Sequence, residues 1–483
     1  MKPILHIQNL SVHYHSKIVL DHISFDIPSG TCWMIRGLSG SGKTTLGKAL
    51  SNHINYQGTI TPNFNTDSIL PNKIYYVENW YQFSNLEGQR NYYYQQRYNH
   101  QQRRDTITVS KELEKFGKEY HLSTDSINDL ISKFDDLKIL DEQLFEISSG
   151  EHKKLQLIKA LWLCPQVLII DQPYTGLDKK SRVQFNQLFN QYIHKGGTLI
   201  LLSNDDEMPS CTKYFATLKN GKLIDGEIDQ DNLKKTLKQL PSFLTEKPIY
   251  TSTQIVSMKN VAVVYDGISI LTNINWSINA GERWLLQGHN GSGKSTLLSL
   301  ITADHPQAYA NDIKLFGVQR GGGESIWDIK KRIGLISPEM HWYFDANATV
   351  AQSIASGFFD SNGQYQNLRY AQKQQLNELL HFLDLYDLRN ELLTTLPLGK
   401  QRLSLLGRTI LKNPPLLILD EPCQGLDNYQ TQYFNNLVDE ISKNGVTIIY
   451  VGHFETQLPQ CITHSLVLQE GKTIAQRNEQ PQN

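Results

Sequence analysis

Short, largely apolar runs recur along the chain, each stopping at a glycine-rich or acidic turn. WMIRG from Trp33, KIYYV from Lys73, VLIID from Val167 and LILLS from Leu199 are of this kind. Such runs are too short for core helices and carry no polar face, so they predict strands buried on both sides in a mostly parallel sheet. Longer stretches with helical periodicity alternate with them and predict helices around that sheet. Other text alternates: LSVHYHSKIVLDHISFDI and VAVVYDGISILTNINWSI are rich in β-branched and aromatic residues with a turn midway, which predicts further β-structure. LKNGKLI around Gly221 and LQEGKTI around Gly471 have the form of tight hairpins.

These patterns occur twice. Lys43 and Lys294 lie 251 positions apart, and Asp171/Asp420, Asp178/Asp427 and Asn204/His453 each lie 249 apart. A near-constant offset of half the chain predicts a duplicated domain, not a solenoid of short repeats. The expected organisation is a first domain over 1–228, a linker over 229–253 containing the amphipathic run NLKKTLKQL, and a second domain over 254–483.

Within each half, one apolar strand leads into G-x-x-x-x-G-K-[ST]. The first copy supplies Gly37, Ser39, Gly40, Ser41, Gly42, Lys43, Thr44 and Thr45; the second supplies Gly288, Asn290, Gly291, Ser292, Gly293, Lys294, Ser295 and Thr296. Glycines let backbone N–H groups curl around phosphate oxygens at a helix N-terminus. The lysine reaches the β/γ-phosphates, and Thr44 or Ser295 offers a hydroxyl to Mg²⁺. ATP and Mg²⁺ are the ligands this pattern predicts. Later in each half an apolar run ends in an acid, VLIIDQPYTGLD at Asp171 and LLILDEPCQGLD at Asp420, which suits a role at the metal. One residue further the copies differ. Glu421 can orient or deprotonate an attacking water; Gln172 cannot, because an amide has no basic lone pair in this pH range.

Together these motifs resemble the ATP-binding cassette (ABC) family over essentially the whole chain. The resemblance implies an α/β fold: two tandem ABC-type P-loop nucleotide-binding domains, each with a mostly parallel core sheet, an antiparallel β subdomain and a helical signature subdomain. It implies an ATPase in which Tyr14 and Tyr265, each 29 positions before its lysine, stack on adenine. His453 matches the family's switch histidine, and Asn204 holds the corresponding place in the first half. The signature elements are ISSGE (Ile147–Glu151), which keeps Ser148 and Gly150, and LPLGK (Leu396–Lys400), which keeps Gly399 but has Pro397 in place of serine. Lys400 there has a charge to offer phosphate. The family's glutamine after the next strand is missing. Asn79 or Gln82 would serve in the first half and Glu339 in the second.

In this family the two domains pair head to tail, so each ATP meets one domain's loop and the other's signature. The resemblance then places Gln172, Asn204 and Pro397 in one composite site, and Lys294, Asp420, Glu421, His453, Ser148 and Gly150 in the other. The expectation is one site that holds ATP and one that hydrolyses it, with Glu421, His453 and Lys294 as the catalytic residues. DHPQAYANDIKLFGVQRGGGESIWDIKKRIGLIS, from Asp304, resembles a branch of tandem ABC ATPases linked to molybdenum transport. This implies a subunit energising a transporter, with membrane-spanning partners.

Charge and composition narrow the alternatives. The net charge of −1 supplies no basic field for nucleic acid. RNYYYQQRYNHQQRR, Arg90 to Arg104, is the one basic and aromatic stretch and reads as a surface insertion. Five cysteines without CxxC spacing suggest neither a disulfide framework nor zinc. No apolar run approaches the length of a membrane helix, and the N-terminus lacks a secretory pattern, so a cytoplasmic location is expected, at most peripheral at the membrane's inner face. A soluble ABC ATPase acting on ribosomes or nucleic acid remains the alternative; the short linker argues against the long helical arm of the translation-factor branch. Glu421 and His453 argue against a non-hydrolysing regulatory module.

Overall fold

The computed structural model describes residues 3–14, 17–71, 73–79, 107–133, 138–144, 147–204, 208–224, 238–265, 267–289, 291–337, 340, 347–360, 366–452 and 458–478. The stretch Arg90 to Arg104 lies outside them. Two compact units correspond to the two halves of the chain.

The first unit runs β1 (Pro3–Tyr14), β2 (Lys17–Pro28), β3 (Cys32–Arg36), α1 (Lys43–Leu50), β4 (Gln57–Pro62), β5 (Ile74–Val77), α2 (Val109–Tyr120), α3 (Thr124–Ser132), α4 (Ser149–Leu163), β6 (Val167–Asp171), α5 (Lys179–His194), β7 (Thr198–Ser203), β8 (Thr212–Lys219) and β9 (Lys222–Ile224). Its core sheet has the order β5-β6-β7-β3-β8-β9, with only the β8–β9 pairing antiparallel. The strands β6 and β7 are buried at every position, as their lack of a polar face requires. The alternating text forms a separate antiparallel sheet, β2-β1-β4.

The second unit runs α6 (Ser242–Thr245), β10 (Gln254–Tyr265), β11 (Ile268–Asn279), β12 (Arg283–Gly288), α7 (Lys294–Ile301), β13 (Asp312–Leu315), β14 (Val318–Gln319), α8 (Ile326–Lys330), β15 (Ile333–Ile336), α9 (Val350–Ala355), α10 (Tyr370–Phe382), α11 (Leu398–Ile410), β16 (Leu416–Asp420), α12 (Asn428–Ser442), β17 (Thr447–Val451), β18 (His464–Gln469) and β19 (Lys472–Asn478). Its core sheet, β15-β16-β17-β12-β18-β19, repeats the first topology, and its antiparallel sheet is β11-β10-β13-β14.

The duplication extends to the backbone. Non-glycine residues in the left-handed region recur in register: Asn9/Asn260, His22/Asn273, Asn52/Ala303, Cys164/Asn413 and Gln172/Glu421. These conformations are costly for residues with a Cβ, so their repetition shows that the fold imposes them. The two closing hairpins turn on Asn220-Gly221 and Glu470-Gly471, all at positive φ, as a two-residue type I′ turn demands.

Residues 238–253, in the stretch read as a linker, pack on the second unit. Leu244 of α6 is buried in its core, Ser242 Oγ donates to Glu378 at 2.9 Å, and the Tyr250 hydroxyl donates to the Gly445 carbonyl at 2.5 Å. Leu240 and Phe243 pack against the same core, so a few apolar residues among polar neighbours dock a segment whose composition looks solvent-borne.

Candidate nucleotide sites

Each phosphate loop joins the C-terminal end of a central strand, β3 or β12, to a helix. Neither α1 nor α7 has a side-chain cap or an acid in its first turn, which leaves the positive N-terminal end available to an anion. Gly42 and Gly293 stand just before these helices at φ 106° and 96°. A Cβ on Gly42 would meet Leu20 Cδ2 at 3.0 Å, and one on Gly293 would meet Leu271 Cδ2 at 2.7 Å, so glycine is required at both for the same reason. A Cβ on Gly37 would lie 2.5 Å from the Leu218 carbonyl and 2.5 Å from Ser41 Oγ; Gly288 meets Leu468 and Ser292 equivalently. Gly40 and Gly291 take φ 82° and 76° within the loops. Ser39 lies on the first loop, and Thr45 and Thr296 sit in the first turns of α1 and α7. Asn290 lies outside the described residues.

The lysines fold back over their own loops. Lys43 Nζ donates to the Gly37 carbonyl at 2.7 Å and the Leu38 carbonyl at 3.0 Å; Lys294 Nζ donates to Gly288 at 2.7 Å and His289 at 2.9 Å. Burial lowers the Lys43 ammonium to about 8, against the opposing pull of Asp171. Ser292 Oγ is buried and makes no hydrogen bond among the described residues.

Asp171 ends β6 beside the loop. Its Oδ2 accepts from Thr44 Oγ1 at 2.6 Å and from the Tyr76 hydroxyl at 3.2 Å, while Oδ1 is buried with no hydrogen-bond partner among the described residues. Burial raises the carboxyl pKa, against the lowering effects of Thr44 and then Lys153. A hydroxyl 2.6 Å from a carboxylate that has one spare oxygen fits a hard, oxygen-preferring dication that takes its remaining ligands from phosphate and water. In the second unit Ser295 is in the first turn of α7 and Asp420 ends β16.

At the next position the backbones match and the side chains do not. Gln172 (φ 50°) and Glu421 (φ 43°) are both left-handed. Each donates its N–H to the neighbouring strand, Gln172 to the Leu202 carbonyl at 2.8 Å and Glu421 to the Val451 carbonyl at 3.2 Å. The Gln172 side-chain oxygen accepts from the Asn204 N–H at 3.3 Å, and Glu421 Oε2 accepts from Gln424 Nε2 at 3.1 Å. His453 lies outside the described residues, as do Gln82 and Glu339; Asn79 is described, with a buried Oδ1 that makes no hydrogen bond among the described residues.

The signature segments begin helices. Ser148 caps α4, and Glu151 accepts from both its N–H and its hydroxyl, each at 2.7 Å. Glu151, which reads as an oddity in the motif, therefore completes a capping box, a local signal already present in the Ser-x-x-Glu spacing. Gly150 follows in the first turn of α4. Pro397 starts α11 without a side-chain cap, and a Cβ on Gly399 would meet Gln430 Cδ at 2.6 Å. The Lys400 ammonium donates to the Asp384 carbonyl at 2.8 Å and lies 3.4 Å from the Asp384 carboxylate.

Tyr14, at the end of β1, is 47% exposed. Tyr265, at the matching end of β10, shares a 2.6 Å hydrogen bond with His305 Nε2. Two residues escape motif reading altogether. Tyr76 reaches Asp171 from β5. Lys153 of α4 is buried, donates to the Asp171 carbonyl at 2.8 Å and the Glu78 carbonyl at 3.2 Å, and is lowered by burial to about 7, with Asp171 opposing. Its only signal in the sequence is register: 249 positions on stands a second cation, Arg402.

Comparison with known proteins agrees with this arrangement. The ABC transporter family model matches residues 20–175 and again 271–424. The ABC transporter ATP-binding protein ModF of Escherichia coli is 38% identical over 356 residues, which cover 70% of this chain and 72% of the relative. The uncharacterized ABC transporter ATP-binding protein C323.04 of Schizosaccharomyces pombe is 29% identical over 476 residues, 94% of this chain and 95% of the relative. Duplicated phosphate loops, paired aspartates and a family match in each half lead to one conclusion: this chain is a tandem member of the ABC transporter family of ATP-binding proteins.

Proposed function

We propose that the chain binds ATP through both loops and hydrolyses it at the second, where Lys294 holds the β/γ-phosphates and Glu421 acts on the attacking water. The observation that carries this reading is the pair Gln172 and Glu421, which share backbone conformation and strand pairing but differ in basicity. Mg²⁺ would be held by Thr44 and Asp171 in one half and by Ser295 and Asp420 in the other, where it neutralises charge on the phosphates. Tyr14 and Tyr265 would stack on adenine, and His453 would complete the hydrolytic site. The head-to-tail pairing implied by the family would bring Ser148 and Gly150 to the hydrolytic site, and Gly399 with Pro397 to the other.

General-base assistance is worth about 10²–10⁴-fold, whereas the loop and lysine bind phosphate without it. Glu421→Gln should therefore reduce turnover by about 10²-fold or more while two nucleotides remain bound per chain. Turnover assays with bound-nucleotide counting decide the matter: substantial hydrolysis by the variant would show that Gln172 has not silenced the first loop.

The relatives' names and the molybdenum-transport resemblance support a cytoplasmic energising subunit for a transporter, with molybdate-type cargo selected by membrane-spanning partners. Among the described residues no helix is long and apolar enough to cross a membrane, so such a role needs those partners. Co-purification of membrane subunits supports this role; co-purification of ribosomes or RNA supports a soluble, non-transport ATPase.

A further inference from the structure

Lys153 has no part in the motifs, yet its ammonium contacts the metal end of the first sheet. The two carbonyls it grips belong to particular peptide units. The Glu78 carbonyl lies in the peptide that leads to Asn79, and the Asp171 carbonyl in the peptide that leads to Gln172. One buried cation thus holds both planes beside the site. Asn79 Oδ1 and Asp171 Oδ1, buried and without a hydrogen bond among the described residues, belong to residues that these peptides orient. The cation is carried by α4, whose N-cap is Ser148.

The second unit has a cation at the same register but a different grip. Arg402 of α11 is fully buried, and its Nη2 reaches the Gln424 carbonyl at 3.5 Å, in the turn beyond Glu421.

We propose that Lys153 is a positioning residue for the first metal site, fixing the peptides on either side so that Asp171 and Asn79 present oxygens to the cation bound with ATP. This rests on the reading that Thr44 and Asp171 hold Mg²⁺. Removing Lys153 leaves both carbonyls buried without their donor and frees the peptides to tilt, which disorders the ligands without touching the phosphate loop. Partners behind metal ligands typically set metal affinity by about 10–100-fold.

The test uses the full chain with Lys294→Ala, so that binding reports the first loop. A fluorescent ATP analogue is titrated in excess Mg²⁺ and in EDTA, for the parent and for Lys153→Met, Lys153→Arg and Asn79→Ala, with thermal unfolding followed in parallel. In Lys153→Met the Kd in Mg²⁺ should rise about 10-fold while the Kd in EDTA stays unchanged. Lys153→Arg should recover part of the loss, and Asn79→Ala should show a smaller loss that is also confined to Mg²⁺. Equal weakening with and without metal makes Lys153 a structural residue only and overturns the proposal, as does no change in either condition. If Lys153→Met fails to fold, Asn79→Ala decides, because metal-dependent binding that survives intact in that variant also overturns it. A parent that binds equally well with and without Mg²⁺ would refute the underlying metal reading instead.

Discussion

Lys43 is enclosed by the loop it belongs to, and burial is the first cause of its lowered pKa, about 8. A bound triphosphate places negative charge beside the ammonium and favours the charged form. The sign follows directly. Below about pH 8 the lysine is already protonated and binding takes up nothing. Between about 8 and the model-compound range near 10.5, binding draws in a proton, so affinity falls as pH rises. Calorimetry on Lys294→Ala in buffers of different ionisation enthalpy should show proton uptake at pH 9 that vanishes at pH 7; uptake independent of pH would contradict this account. The contrast of Gln172 with Glu421 also belongs to this scale: one atom pair changes, the backbone stays, and basicity is lost.

Among the elements, the turns after β6 and β16 show how the halves diverged without losing the fold. Three positions correspond at an offset of 249: Tyr174/Cys423, Asn186/Asn435 and Leu201/Tyr450. In the first unit the Tyr174 hydroxyl donates to Asn186 Oδ1 at 2.5 Å. In the second the turn residue is the small Cys423, and the aromatic comes instead from β17, where the Tyr450 hydroxyl donates to Asn435 Oδ1 at 3.0 Å. The ring has moved from turn to strand, and the asparagine keeps its donor. Exchange within the second unit should therefore be non-additive. Cys423→Tyr alone overpacks the site and should cost about 1–3 kcal/mol. Tyr450→Leu alone leaves a cavity and removes the hydroxyl donor to Asn435 Oδ1, which keeps the weaker Cys423 thiol at 3.7 Å, at about 2–5 kcal/mol. The double variant should be more stable than the sum of the single losses implies; a double-mutant cycle on the second unit's unfolding transition reads the coupling, and strict additivity would show that the two sites do not compensate.

For the molecule as a whole, the proposed division between a holding site and a hydrolysing site predicts unequal dependence on the two loops. Lys294→Ala should abolish turnover at least as completely as Glu421→Gln, whereas Lys43→Ala should remove one bound nucleotide and leave a larger residual rate. Equal loss in both would mean that the halves share the chemistry. Much of this was legible in the chain, for local reasons. A glycine that must take positive φ beside a neighbouring leucine, a lysine one residue on and a strand apolar on both faces each follow from backbone geometry over a few residues, so motifs and topology could be read directly. Ser148 and Glu151 were equally local, and their capping box was open to the same reading. What only the tertiary structure decided lies in contacts between distant segments: the grip of Lys153 on Glu78 and Asp171, the contact of Lys400 with Asp384, the bond between Tyr265 and His305, and the docking of residues 238–253 on the second unit. A side chain's type states what it can bond, but its partner is set by which buried atoms the packed core brings within 3 Å or so, and that depends on the whole fold.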